Sequence, residues 1–381
     1  MRLLHVIDSL DVGGAERMLV EIANAASEDA HKVFVCVTRS ATVLAADLDP
    51  QIGIISLNRH RRFDLCALQR LADFTNRQRM DVIHSHGRTT LSFLGVVRSL
   101  GLTRVPVVLH DHYGGIETDT SVPYWFKQWG RHHVAQYVGV CAKLADWASM
   151  AGLPHDRIHV IANALNIKRI ADVPAPQGET LRNQFGIPKN LSLGVVLGGL
   201  RHEKGIDVLL KALPLCQTRG AFRVVLTGGE RDCAYARACR DTCDELGLDD
   251  LVSFAGQRTN VAELLSQADF ALLPSRSEAD PVAIIEYMLA GLPFVATPVG
   301  GIQCRLSKLG LPELVPTEDA QALADAIDRL MQLTPLQRRQ RGESGREVAR
   351  RDFNIRAAMP LWYAVYNAAL ATCLSTKQGM T

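Results

Sequence analysis

Residues 269–297, DFALLPSRSEADPVAIIEYMLAGLPFVAT, read as a β-strand, a polar loop, a helix and a second β-strand. The runs FALL and FVAT are short, apolar and bounded by proline, serine and glycine, as buried strands of a parallel sheet are. Pro281 is a natural first-turn residue and disfavours helix at Asp280. Glu278 therefore falls in the loop and Glu286, further on, on the helix. Open α/β sheets bind ligands at the carboxyl ends of their strands, where this loop lies. A carboxylate can accept from both oxygens of a vicinal diol, so two glutamates at different depths suit two sets of hydroxyls.

The same alternation runs outward in both directions. Upstream, LLHVI, KVFVCVT, DVIHSH, VPVVLH, QYVGV and RIHVIAN are strand-like. Between them lie amphipathic segments such as AERMLVEIANAAS, whose Met18, Leu19, Ile22, Ala23 and Ala26 share a helical face. After Asn166 the stretch IADVPAPQGET loses apolar period and reads as a hinge. LSLGVVLGG then opens a second series, with FRVVLTGG, LVSFAG, DFALLPS and LPFVAT. The expectation is an α/β protein of two Rossmann-like domains facing each other across a cleft, 1–166 and 167–354. A long apolar helix near 355–375 is expected to pack back onto the first.

A chain of 381 residues suits two domains. Its 42 basic and 40 acidic residues nearly cancel, which gives no reason to propose nucleic acid as a partner. Any anionic ligand must be held locally. The first residues read as a strand ended by Asp8, not as a signal peptide, and no apolar run reaches the roughly 20 residues of a membrane span. A cytoplasmic protein is expected, with peripheral contact at the cytoplasmic face of a membrane left open. Charged runs such as LQRRQRGESGREVARR are solvated helix faces.

Two further motifs suit an anion. In DVGGAER, Gly13 and Gly14 join a strand to a helix beginning near Ala15, where free N–H groups and the positive end of the helix dipole meet a phosphate. The spacing is not the dinucleotide fingerprint, and no acid stands well placed about 20 residues later. In GGLRHEKGIDVLLKAL, Arg201 and Lys204 sit on a turn entering a helix and can neutralise a diphosphate without a metal. Cys233, Cys239 and Cys243 cluster, but only Cys239 and Cys243 share a helical face, too few for structural zinc. His84, His86, His110 and His112 crowd two successive strand ends. They are read as neutral, hydrogen-bonded loop histidines, and no metal is expected.

Together these segments resemble the retaining nucleotide-sugar glycosyltransferases of family 4, which have the GT-B fold. DVGGAER, DVIHSHG, VPVVLHDH, VIANALN, LRHEKGIDVLLKAL, VSFAGQRTNVAELLSQADFALLPS and the E-x7-E segment occur in the family's order across nearly the whole chain. The resemblance implies that the donor is a substrate, a UDP- or GDP-linked sugar, and that no cofactor is used. It implies that Gly14 and Lys204 meet the diphosphate, that Glu278 with the backbone around Ala279, Asp280 and Pro281 contacts the transferred sugar, and that Glu286 holds the ribose. The base would lie near Gly228, Gly229, Gln257 and Arg258, and His112 near the reacting centre. The acceptor would be a hydroxyl of a glycan, lipid-linked sugar or small molecule; the resemblance leaves it unnamed, together with donor, linkage and oligomeric state.

Four positions depart from the family pattern: Gly199 stands where an arginine is usual, Ala279 and Ala164 where glycines are, and Asn166 where an acid is. The Gly199 departure motivates two alternatives. Arg201 takes over part of the diphosphate contact, or the chain is a non-catalytic nucleotide-sugar-binding homologue or scaffold. Another GT-B enzyme such as an epimerase is opposed by the E-x7-E segment.

Overall fold

The repeated strand and amphipathic helix build two parallel sheets in the computed structural model, which describes residues 1–39, 43–61, 64–171, 180–230, 232–301, 303, 306 and 313–378. Two compact units result: Met1–Ala164 together with the helix Ile355–Gln378, and Leu165–Asn354. Most of the hinge stretch at 170–180 lies outside the described residues.

Unit 1 holds β1 (Arg2–Ile7), β2 (Lys32–Val37), β3 (Gly53–Ser56), β4 (Val82–His86), β5 (Val107–Asp111), β6 (Gln136–Gly139) and β7 (Ile158–Val160). Their order across the sheet is β3-β2-β1-β4-β5-β6-β7. Unit 2 holds β8 (Ser192–Leu197), β9 (Phe222–Thr227), β10 (Val252–Gly256), β11 (Phe270–Leu273), β12 (Phe294–Ala296) and β13 (Glu313–Leu314), in the order β10-β9-β8-β11-β12-β13. In each sheet the order reverses beside the first strand, at β1/β4 and β8/β11. That is the switch point, where the loops at the carboxyl ends diverge and leave a crevice.

Burial explains why these runs become strands. β4, β5, β6 and β11 are buried at every residue, as parallel strands covered on both faces must be. Sequence reading overlooked β3, an edge strand of alternating partial exposure, and β13, which is only two residues long. The helix Gly14–Glu28 begins one residue earlier than expected, and Met18, Leu19, Ile22, Ala23 and Ala26 are all buried.

The helix Ile355–Gln378 is an integral wall of unit 1. Arg356 and Tyr363 both donate to Asp29 at 2.5 Å, and the Tyr366 hydroxyl lies 2.9 Å from Nδ1 of His84. Trp362 packs on His84 and His110, with ring centroids 4.9 and 4.6 Å apart. Among the described residues no helix is long and apolar enough to cross a membrane.

Candidate donor site

In unit 2 the turn after β8 and the loop after β11 meet at the switch point. Gly198–Gly199 and Gly228–Gly229 follow β8 and β9, and their backbones touch. Gly198 N–H donates to Thr227 O at 2.9 Å, and Leu200 N–H to Gly229 O at 3.0 Å. Gly228, at φ +156°, has no room for a side chain, since a Cβ would lie 2.1 Å from the Gly198 carbonyl oxygen. A Cβ on Gly199 would stand 3.0 Å from the Gly229 carbonyl oxygen, so the arginine usual there cannot enter without moving this backbone. The chain's departure at 199 is thus tied to a close approach of two strand ends.

Lys204 leaves this turn with its stem beside Gly198 and donates to Oε1 of Glu278 at 2.5 Å. Gly205 makes the geometry possible: at φ +61° it starts the helix Ile206–Ala212, and a Cβ would lie 2.1 Å from Pro274 O. Glu278 is buried and also accepts from Ser275 Oγ at 2.8 Å. A mostly desolvated lysine and carboxylate so close form a strong pair, one that exchanges partners readily only for another anion and another set of donors.

Arg276, which sequence reading missed, fastens this loop to the turn. Its guanidinium grips Asp207 in a bidentate pair at 2.7 Å and donates to His202 O at 2.8 Å, while its own N–H donates to Glu203 O at 2.8 Å. Burial pushes the Asp207 carboxyl up, but the hydrogen bonds from Arg276 and Tyr235 outweigh it and hold the pKa at about 2. Arginines on turns are common, and nothing in the sequence singled this one out.

Glu286 is buried on the helix Val282–Ala290 and pairs with Arg169, a second cation missed by sequence reading. Pro281 is the residue just before this helix, and Ala279 and Asp280 are buried beside it. The neighbouring Tyr287 anchors the helix, accepting from Leu197 N–H at 2.7 Å and donating to Leu272 O at 3.2 Å. It thereby joins β8 to β11 beneath the two glutamates. Gln257 reaches Gly229, its Oε1 standing 2.8 Å from where a Cβ would be, and Arg258 donates to Gln184 and Ala255 O. Lys204, Glu278, Gly228, Gly229 and Gln257 therefore gather around neighbouring strand ends. Arg201 is exposed at the start of the turn and enters no ion pair among the described residues.

In unit 1, Gly13 caps the helix Gly14–Glu28 in extended backbone, with no side-chain cap. Gly14 is exposed, and the Glu16 carboxylate folds against Gly13, its Oε2 standing 2.3 Å from where a Cβ would be. Three of the four histidines depart from the sequence reading. His84, His86 and His110 are on strands, not loops, and His5 of β1 joins them. Strand alternation sends residues two apart to one face. The registers His5↔His84 and His86↔His110 complete the cluster. His112 is half-buried just past β5. Burial pushes His5 and His112 down to about 3 and the other three well below the ordinary value, so all five are neutral at pH 7. Their hydrogen bonding is only partial: His86 Nδ1, His110 Nδ1 and Nε2, and His112 Nε2 have no partner among the described residues. Cys239 and Cys243 are buried thiols whose pKa burial raises, and Cys233 is exposed.

Residues 12–169 match the family described as Glycosyltransferase Family 4, and residues 193–333 that described as Glycosyl transferases group 1. An uncharacterised glycosyltransferase of Methanocaldococcus jannaschii is 25% identical over 274 residues, which cover 69% of this chain and 64% of that protein. N-acetyl-alpha-D-glucosaminyl L-malate synthase of Bacillus anthracis is 22% identical over 80% of this chain and 79% of its own length. The match to the first thus spans less than two thirds of that relative. In fold, the chain is similar to Anabaena HepE in complex with UDP and glucose, with a TM-score of 0.76, 20% identity, and coverage of 99% of this chain and 100% of that one.

Proposed function

Because the chain belongs to the family 4 glycosyltransferases and has their GT-B fold, we propose that it transfers a sugar, with retention, from a UDP- or GDP-linked donor to an acceptor hydroxyl. The observation that carries the reading is the Lys204–Glu278 pair at 2.5 Å beside the abutting glycine strand ends. A diphosphate offers Lys204 a better anion, and sugar hydroxyls offer Glu278 new donors, so donor binding exchanges one buried ion pair for two complementary contacts. Glu286 takes the ribose hydroxyls, with Arg169 holding its carboxylate in place. Gly228, Gly229, Gln257 and Arg258 border the base. In unit 1, Gly13, Gly14 and His112 keep the family roles toward the diphosphate and the sugar.

The chemistry proposed is front-face substitution at the anomeric carbon. The C–O bond to the diphosphate breaks, the acceptor oxygen bonds on the same face, and its proton passes to the departing diphosphate oxygen. The protein's part is to stabilise the developing charge and exclude water. Arg201, long and exposed, is available to that charge in place of the arginine absent at 199. Neutralisation is assigned to these side chains and amides, so turnover is expected to need no added magnesium or manganese. Loss on chelation that either ion restores would overturn that assignment.

A panel of UDP- and GDP-sugars tests the reading, with binding read by mass spectrometry and turnover by donor hydrolysis. UDP comes first, because the HepE structure holds UDP. Tight binding of one donor with slow hydrolysis, quickened by an acceptor, is the expected outcome. The glycine at 199, where the family's arginine is usual, supports a second reading, a donor-binding homologue without transfer. Binding with no hydrolysis or transfer to any acceptor tried decides for it.

A further inference from the structure

We propose that His86, His110 and His112 form a binding site for one divalent transition-metal ion of the zinc class. Their candidate ligand nitrogens lie within 4.8 Å of one another. Buried polar atoms are normally partnered, yet among the described residues His86 Nδ1, both nitrogens of His110, and His112 Nε2 have no partner. Neutral imidazoles keep their lone pairs, so nothing competes with a metal for them at neutral pH. Metal–imidazole bonds of about 2.0–2.1 Å set two ligand nitrogens about 3.3 Å apart, so the three nitrogens must draw closer together on binding an ion.

His5 already positions one of the three rings. Nε2 of His86 is 3.1 Å from His5 Nδ1, which fixes the His86 ring and leaves Nδ1 as its free nitrogen. Ligating histidines are commonly held this way through their other nitrogen. The donor set contains no carboxylate: Asp111 is taken by Arg88 and Tyr137, each at 2.8 Å. An all-imidazole set favours zinc, cobalt, nickel or copper over magnesium, calcium or manganese. Half-buried His112 provides the entry side, and three protein ligands leave a position open. The other nitrogen of His112 remains for the sugar contact proposed above, and the ion takes no part in neutralising the diphosphate.

The test uses the full chain, stripped with chelator and titrated with Co²⁺ in the absence of any sugar nucleotide. About one equivalent is expected to bind, with visible absorption of low-coordinate cobalt that Zn²⁺ abolishes and Mg²⁺ does not. His110→Gln is expected to eliminate the spectrum. His5→Gln is expected to weaken binding by about 10- to 100-fold, and His159→Gln to leave it unchanged. If the His110 variant misfolds, ¹⁵N-imidazole spectra of the parent decide instead, because three ring systems must shift with Zn²⁺. Absence of cobalt binding by the parent, full retention by a folded His110→Gln, or unshifted imidazole spectra would each overturn the site, whatever the outcome of the donor experiments.

Discussion

At the scale of single residues, the two glutamates have different duties. Ribose contacts are present in ground and transition states alike, so Glu286→Ala should weaken donor binding by about 10-fold or more and leave kcat nearly unchanged at saturation. Isothermal titration beside steady-state kinetics checks this, and a fall in kcat at unchanged affinity contradicts the role. Glu278→Ala should instead flatten the ranking of donor sugars. For the cations, a bond to a leaving diphosphate strengthens as charge develops, so Lys204→Ala should cost about 2–4 kcal/mol in kcat/KM, mostly in kcat. Arg201→Ala should do the same, and the double variant should be less than additive because both serve one group. Near-parental turnover of Arg201→Ala beside a dead Lys204→Ala would return Arg201 to the status of a solvated turn residue. Both glutamates and Lys204 were legible in the sequence because motif and loop position marked them. Arg169 and Arg276 were not, since an arginine's importance lies in the carboxylate it meets, and Asp207 and Glu286 are distant from them in sequence.

At the scale of elements, unit 1 depends on its last helix. The register His5↔His84 brings two rings to a face that the helix Ile355–Gln378 covers with Trp362 and Tyr366. Tyr366→Phe removes the partner of His84 Nδ1 while filling the same space. It should cost about 1–2 kcal/mol in unfolding by denaturant, with donor affinity unchanged. An unchanged midpoint would mean that packing alone holds the helix. The helix and its apolar face could be read from the sequence, but the histidines beneath it could not be read as its partners, since period-2 alternation aligns residues within a strand and says nothing of what covers them.

At the scale of the whole molecule, the two units should respond differently to acid. The five clustered histidines have pKa values lowered in the fold, first by burial and, for His84, His86 and His110, also by one another. The unfolded chain binds protons there below about pH 6.5 and the folded chain does not, so the stability of unit 1 is full above that pH and falls as pH drops through it. Each histidine that stays neutral in the fold costs about 1.4 kcal/mol per pH unit, and even two remove about 3, a large share of a domain's usual ~5–15 kcal/mol. All four tryptophans, Trp125, Trp129, Trp147 and Trp362, belong to unit 1, so fluorescence reports on it alone. Tryptophan emission should shift to the red between about pH 6 and 5, before the far-ultraviolet signal of unit 2 is lost, and saturating Zn²⁺ should move that shift to lower pH. Coincident loss of both signals at lower pH would refute the selective weakness.

What the sequence determined by itself was the repeated strand–helix alternation, the two series of it, and the strand-to-helix segments that bear Gly13, Gly14, Lys204, Glu278 and Glu286. Those are local properties: apolar period, turn chemistry and motif spacing act within a few residues of one another. Only the tertiary structure decided that Lys204 meets Glu278, that Gly199 is pressed against the Gly229 carbonyl, and that His5 completes a cluster begun by four other histidines. Strand order and register set those contacts, and they are chosen by how the whole sheet buries its faces, a condition no single segment carries.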